Sequence, residues 1–450
     1  MLRSQVQVLV TAHLTFGGKM TVGWPAASDS TLWEEQPVQD AKFSKETLLG
    51  VATSEYQYSG QINCPNAQWA EWEKKLPIDK QSGEAWNLWN RPQECIAILQ
   101  KLNVSSFRFS IEWSKIETAP GVYDESAIQH YVDFCRELKK VGIEPMITLH
   151  HFTNPLWFEK LGAFEKEENI AHFVSFAQKM GEVLKGEVTL IGTINEPTVY
   201  AFSGYFLGSF PPNAHNPWKG ARVLKHLLMA HCQVYRALKQ IDPKFQVGII
   251  HQALKFVPYR MWNPIEVAVT WVLTRITHTV AMRFFETGIF NFWGIFSWII
   301  PGGYFKEKEI HQLNDFIGVN CYVRPLISMF AGSTHYPHEA MTAMPFREDP
   351  AAIYEALMEM HKKTKKPLYV TEVGISTFDE KQLERYMERA LYAIYRAKEA
   401  GVDLKGIYWW SLMNNWEWDR TWDHNFGICK DDGTPREGAR PFLNHLNSVV

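Results

Sequence analysis

The sequence predicts an α/β fold, a single (β/α)8 barrel with elaborated loops after its strands. Three observations carry that expectation. From about Phe43 onward, eight short β-like runs alternate with helical patterns, as a parallel sheet with helical crossovers requires. Seven of the runs lead into a polar or aromatic side chain able to meet a ligand. No Gly-x-Gly-x-x-Gly or P-loop follows the first run, which weakens the alternative of an open nucleotide-binding sheet.

The runs are Leu48–Thr53, Ser106–Ile111, Glu144–His150, Val188–Asn195, Phe245–His251, Asp315–Asn320, Pro367–Glu372 and Lys405–Trp410. The first leads to Gln57, the second contains Arg108 and the third leads to His150 and His151. The fourth ends in Asn195-Glu196, the sixth in Asn320, the seventh in Glu372 and the eighth in Trp410. A closed barrel gathers such residues at its C-terminal mouth, where barrel active sites lie. Between the runs, residues 125–141, 170–184, 221–240, 351–363 and 381–400 read as helices. Their apolar residues recur at spacings of three and four, as in Ile128, Tyr131, Val132, Cys135 and Leu138.

The chain has 450 residues, a length that one barrel with long loops can fill. Residues 46–450 are read as that barrel and residues 1–45 as an extension outside it. Val6 to Leu14 is apolar behind Arg3, loosely like a signal peptide. His13 interrupts the run and no small-residue cleavage site follows, and Met20 is an alternative start. A net charge of −3 argues against a nucleic-acid partner. Six cysteines without a CxxC pair read as free thiols in a reducing, cytoplasmic setting. The 18 tryptophans fit sugar stacking and core filling equally well. The sequence leaves the oligomeric state open.

Thr193-Ile194-Asn195-Glu196-Pro197 and Tyr369-Val370-Thr371-Glu372-Val373-Gly374 are the most informative segments. Each is a β-branched strand ending in a glutamate. Cleaving a glycosidic bond with retention needs two carboxyl groups about 5–5.5 Å apart, one protonated and one ionised. A closed barrel can bring two such distant strand ends together.

From about Leu48 to the C-terminus, the chain resembles the family 1 glycoside hydrolases, the retaining β-glucosidase and β-galactosidase group. The resemblance lies in ordered blocks. Gly50-Val51-Ala52-Thr53-Ser54-Glu55-Tyr56-Gln57 is similar to the family's opening strand and sugar-binding Gln. Phe107-Arg108-Phe109-Ser110-Ile111-Glu112-Trp113-Ser114, Thr148-Leu149-His150-His151-Phe152 and Asn195-Glu196-Pro197 follow. Then come Asp315 to Tyr322, Thr371-Glu372-Val373-Gly374, Trp409 to Trp418, and Phe426-Gly427.

The resemblance implies a TIM-barrel hydrolase acting on a glycoside or oligosaccharide, with no metal or organic cofactor. It makes Glu372 the nucleophile and Glu196 the acid, then the base for water. Arg108 at the base of Glu372 would favour its carboxylate, and Tyr322 would donate to it. Asn195 would bond the sugar 2-hydroxyl. Gln57, His151 and Glu417 would bind other hydroxyls, with Asn320, Trp410, Trp418 and Phe426 completing the sugar site.

The outer shell departs from the family pattern. Tyr58-Ser59-Gly60 stands for x-Glu-Gly, Phe152 for Trp, Val373 for Asn, Cys321 for Tyr and Asn414 for Asp. Asn87-Leu88-Trp89 sits where Asp-His-Tyr is usual. Sugar preference therefore does not carry over. No Ser-x-Lys-x-Tyr-like cluster occurs near the barrel end, which favours a neutral glycoside over a phosphorylated one. Two other readings are a transglycosylase with an alcohol or lipid-linked acceptor, and a sugar-binding relative without catalysis. The latter should lack a carboxylate, and both are present.

Residues 289–301, Ile-Phe-Asn-Phe-Trp-Gly-Ile-Phe-Ser-Trp-Ile-Ile-Pro, are unusually apolar. They follow the amphipathic pattern of residues 267–285. The run is too short and too interrupted to span a membrane. It reads either as a connection buried against the barrel or as an apolar rim meeting a lipid-like aglycone or a membrane surface. The second reading gives a membrane-peripheral alternative to the cytoplasmic one.

Overall fold

In the computed structural model, the described residues are 41–298, 302–337, 339–344 and 346–448. The extension expected over residues 1–45 lies outside them up to residue 40. Eight parallel strands close into a barrel in sequential order. They are β1 (Leu48–Ala52), β2 (Ser106–Ser110), β3 (Glu144–His150), β4 (Leu190–Asn195), β5 (Gln246–Gln252), β6 (Phe316–Asn320), β7 (Leu368–Val373) and β8 (Leu404–Trp410). All eight predicted runs are barrel strands. β1 pairs with both β2 and β8, which closes the ring.

The inner and outer faces of the sheet use different residues. The lumen is plugged by Met146, Leu190, Phe316 and Tyr408, and Ser106 Oγ lies 2.8 Å from the Tyr408 hydroxyl. The outward residues of the strands pack under the helices; Val51, Phe107, Ile147, Ile249 and Val370 are all buried there. A barrel filled in this way is a core and not a pore. Chemistry is therefore confined to the mouth.

Local signals place the helices. Asp124 accepts from the Ser126 and Ala127 amides and starts helix Glu125–Lys140. Asp379 caps helix Glu380–Glu399 in the same way. These side chains satisfy amide donors that the first turn leaves unpaired. The helix expected over residues 221–240 begins earlier, at Pro217, because Asn216 caps it and Pro217 fits its first turn.

The elaborated loops follow β1, β5, β6 and β8 and surround the mouth. After β5 and β6, Val257–Pro258, Leu326–Ser328 and Gly332–Thr334 form a small sheet. The amphipathic pattern of residues 267–285 becomes helix Pro264–Thr274, a π turn at Arg275–Thr279 and helix Val280–Thr287. Beyond it, the apolar segment divides. Ile289–Asn291 pairs with Tyr304–Lys306, and Phe290 and Phe292 are buried, whereas Ile295 and Phe296 are exposed. Residues 299–301 lie outside the described residues. No helix among the described residues is long and apolar enough to cross a membrane.

Candidate active site

The two strand-end glutamates reach the mouth through irregular backbone. β4 and β5 run in register to Gly192 opposite Gly248, then shift so that Asn195 faces Ile250. The Glu196 amide donates to the Ile250 carbonyl at 2.9 Å, and Glu196 takes the left-handed conformation, φ 47°. A second shift, between Val319 and Asn320, sets Asn320 opposite Glu372. Bulges of this kind re-aim side chains and cluster beside active sites. Gly374 follows Glu372 where a Cβ would collide with the Trp410 carbonyl oxygen.

Arg108 organises the floor of the site. Nη1 donates to Glu372 Oε1 at 2.6 Å and to the Thr371 carbonyl at 3.0 Å. Nη2 donates to Asn195 Oδ1 at 2.8 Å, and Nε to Thr148 Oγ1 at 3.2 Å. The side chain is fully buried. An ion pair withdrawn from water persists only when further hydrogen bonds complete its geometry, and these contacts supply them. The Tyr322 hydroxyl donates to Glu372 Oε2 at 2.5 Å. Burial and the charge of Glu372 hold the Tyr322 pKa well above its ordinary value, so this proton stays on the phenol.

Glu196 has the opposite surroundings. Among the described residues it has no cationic partner of its own, and it is buried. Asn320 Nδ2 donates to its Oε1 at 2.6 Å. Burial first, and the nearby charge of Glu372 second, push its pKa well above the carboxylate range, partly offset by Asn320 and Arg108. A carboxyl that keeps its proton beside a carboxylate held by a guanidinium has the pattern of an acid paired with an anion.

The hydrogen-bond pattern fixes the Asn195 amide and the His151 tautomer. Asn195 Oδ1 accepts from Arg108, which has only donors, and from Asn320 Nδ2 at 3.1 Å. Its Nδ2 therefore donates to His151 Nε2, 3.2 Å away. Burial and the Arg108 charge keep the His151 ring neutral, so its proton is on Nδ1. That atom is buried without a protein partner among the described residues.

The remaining predicted residues line one wall. Gln57 Nε2 donates to Glu417 Oε2 at 3.0 Å, and Asn415 Nδ2 donates to the same oxygen at 2.9 Å. Burial pushes the Glu417 pKa up to about 8. His151 stacks 5.9 Å from the Trp410 ring and 6.1 Å from the Trp418 ring. Phe426 meets Tyr322 edge-on at 5.8 Å. A cavity of about 580 Å³ opens beside this wall, between Lys80, Met344, Asp419, Arg420 and His424.

Every predicted site residue thus lies in one connected cluster. Asn320 Nδ2 donates to Glu196, and its Oδ1 accepts from Thr371 Oγ1 at 2.7 Å. The bulge between Val319 and Asn320 brings Asn320 to this position. Sequence reasoning passed over Thr148, Thr371 and Asn415 as side chains with a part in the site. Each sits within a quoted block, but a buried hydroxyl or amide carries no signal of its own partner.

The chain is similar to known proteins over most of its length. The chain matches the family described as glycosyl hydrolase family 1 over residues 39–440. It is 25% identical over 432 residues to β-glucosidase A of Thermotoga maritima, covering 87% of this chain and 93% of that protein. Among solved structures, the β-glycosidase from Pyrococcus horikoshii superposes with a TM-score of 0.80 at 29% identity, covering 91% of this chain and 96% of that one. The Thermotoga maritima β-glucosidase in complex with deoxynojirimycin has the same fold, with a TM-score of 0.80 at 22% identity over 91% and 99% of the two chains. The chain therefore belongs to glycosyl hydrolase family 1, as an O-glycosyl hydrolase of the β-glycosidase kind.

Proposed function

We propose that the chain hydrolyses a terminal β-linked sugar, of glucoside or galactoside type, with retention of configuration. Glu372 attacks the anomeric carbon as the bond to the aglycone oxygen breaks, and Glu196 gives its proton to that oxygen. A glycosyl ester of Glu372 results. Its formation removes the Glu372 charge, which after burial is the largest of the causes that hold the Glu196 proton. Glu196 then takes a proton from water, the water oxygen attacks the anomeric carbon and the Glu372 carboxylate is released.

The observation that carries this reading is the asymmetry of the two carboxyls: Glu372 paired with Arg108 and Tyr322, Glu196 buried beside an amide. His151 Nδ1, Gln57 and Glu417 supply hydroxyl-binding groups, and Trp410 and Trp418 supply apolar ring faces. Asn195 Nδ2 is the group for the 2-hydroxyl, shared with His151. The cavity by Lys80 and Arg420 has the volume of a small-molecule site and suits the aglycone. We also place the protein in a reducing compartment and take residues 46–450 as one catalytic unit; the six free, buried cysteines support the first.

The test is intact-protein mass after incubation with 2-fluoro-β-glycosides carrying good leaving groups. An adduct on Glu372 is expected, and the fastest-labelling sugar identifies the preference. Folded protein that accepts no sugar from a broad panel would favour the binding-protein reading.

A further inference from the structure

Helix Pro264–Thr274 is built inside out. Its polar residues Glu266 and Thr270, spaced four apart, face the protein and are buried. Glu266 accepts from the Arg260 amide at 2.6 Å and the Met329 amide at 3.1 Å, while Thr270 Oγ1 donates to the Glu266 carbonyl at 2.8 Å. The outward face carries Ile265, Val267, Ala268, Val269, Trp271 and Val272, all exposed. Trp262, just before the helix, is 74% exposed and Trp271 is 64% exposed. Soluble helices turn their apolar stripe inward, so this face lacks its counterpart.

We propose that this face docks the enzyme on a lipid bilayer, in the interfacial zone, with the barrel mouth towards the membrane. Four observations commit it to lipid. From Met261 to Val272 the sole ionisable side chain is Glu266, which is buried, so nothing charged has to enter the apolar zone. Trp262 and Trp271 both stand exposed on this side, and tryptophan is enriched at membrane–water interfaces. Arg260 lies among the rings of Tyr259, Trp262 and Phe330, at 5.6, 5.8 and 5.7 Å, where it can meet a lipid phosphate. A cavity of about 210 Å³, lined by Ile265, Val269, Ile327 and Met329 together with Glu266 and Ser328, is mainly apolar and can admit part of an acyl chain.

A second copy of the chain is the weaker occupant. A two-fold interface sets a patch against itself, and this patch offers no exposed acid to answer Arg260. Lipid phosphates supply the missing anion. The position also matters. The helix belongs to the loop after β5, and Phe330, which is 76% exposed, to the loop after β6. Both loops stand at the C-terminal rim, beside the mouth.

The experiment is co-sedimentation of the full chain with vesicles of phosphatidylcholine, with and without phosphatidylglycerol. Trp262→Ser/Trp271→Ser is compared with the parent, and circular dichroism serves as the folding control. Binding of the parent, strengthened by phosphatidylglycerol, is expected, with a loss of about tenfold or more in the double variant. Phe330→Ser, on a separate loop, should weaken binding in the same direction and provides the test if the double variant misfolds. Absence of parental binding, or equal binding by folded variants, overturns the proposal. So does a dimer in sedimentation velocity that the same substitutions disperse without any vesicle binding, which would give the face to a second copy. Because the readout is binding, failure here is separate from failure of the hydrolase reading.

Discussion

Asn320 Nδ2 lies 2.6 Å from Glu196 Oε1, and this bond distinguishes the two oxygens of the proposed acid. An amide N–H needs an acceptor, so the transferable proton of Glu196 belongs on Oε2. Asn320→Ala removes a group that favours the charged form. The alkaline limb of kcat/KM should therefore move to higher pH, with kcat falling about tenfold as Oε2 loses its aim. A pH–rate profile checks it, and an unmoved alkaline limb would contradict the assignment.

Glu196→Ala should cost most where the leaving group needs a proton. With alkyl glycosides we expect a loss of about 10²–10⁴-fold, the usual range for general acid catalysis. With dinitrophenyl glycosides the glycosylation step should be nearly unaffected. Pre-steady-state bursts on the two substrate types separate these cases, and equal losses would count against an acid role.

Glu372→Gln keeps the shape and removes the charge. Turnover should fall by roughly 10⁴-fold or more, as for other nucleophile deletions, while circular dichroism stays native. Retention of substantial activity would place the nucleophile elsewhere.

Tyr322→Phe deletes a 2.5 Å hydrogen bond to the Glu372 carboxylate. A bond to a charged group is worth about 1.5–3 kcal/mol, so kcat/KM should change by about 10–150-fold. Steady-state kinetics beside the Tyr322→Trp variant would distinguish loss of the hydroxyl from loss of ring packing on Phe426; an unchanged Phe variant would leave Tyr322 with packing alone.

Stability should decline between about pH 6.5 and 8. Burial raises Glu417 to about 8, with Glu55 and Glu159 at about 7. Such groups hold protons in the folded chain that the unfolded chain has released, so their contribution is complete at acid pH and lost as pH rises through the folded value. Buried His150 and His231, lowered to about 4, act in the opposite sense below about pH 6.5. The two sets oppose each other in acid, which leaves the carboxyls unopposed from about 6.5 upward. Glu417 alone should cost about 2 kcal/mol over that range, at about 1.4 kcal/mol per pH unit. Urea titrations of the parent and Glu417→Gln check this: the variant's midpoint should be flatter with pH, and an equal slope would refute the account.

The strands were legible because barrel strands announce themselves twice, by β-branched runs and by the chemistry at their ends. Gln57, Arg108, Glu196 and Glu372 were readable for that reason. The bulge at Asn320 was not, since a register shift is a relation between two strands and leaves no mark on either. Thr148 and Thr371 escaped for a similar cause, their hydroxyls serving a guanidinium and an amide that arrive from other strands. In helix Pro264–Thr274 the alternation of polar and apolar residues was visible. Periodicity reports that two faces exist; it does not say which one meets the protein.

The reach of Arg108 has a consequence for how activity arises during folding. From β2 it bonds to Thr148 on β3 and Asn195 on β4, then crosses the lumen to Glu372 on β7. The proposed acid comes from the first four strands and the proposed nucleophile from the last four. A half-barrel fragment would thus carry one carboxyl and, in its absence of the other, an arginine or a glutamate stranded without its countercharge. Turnover begins only when the ring is sealed, so appearance of activity in a refolding assay would time the closure of the barrel itself.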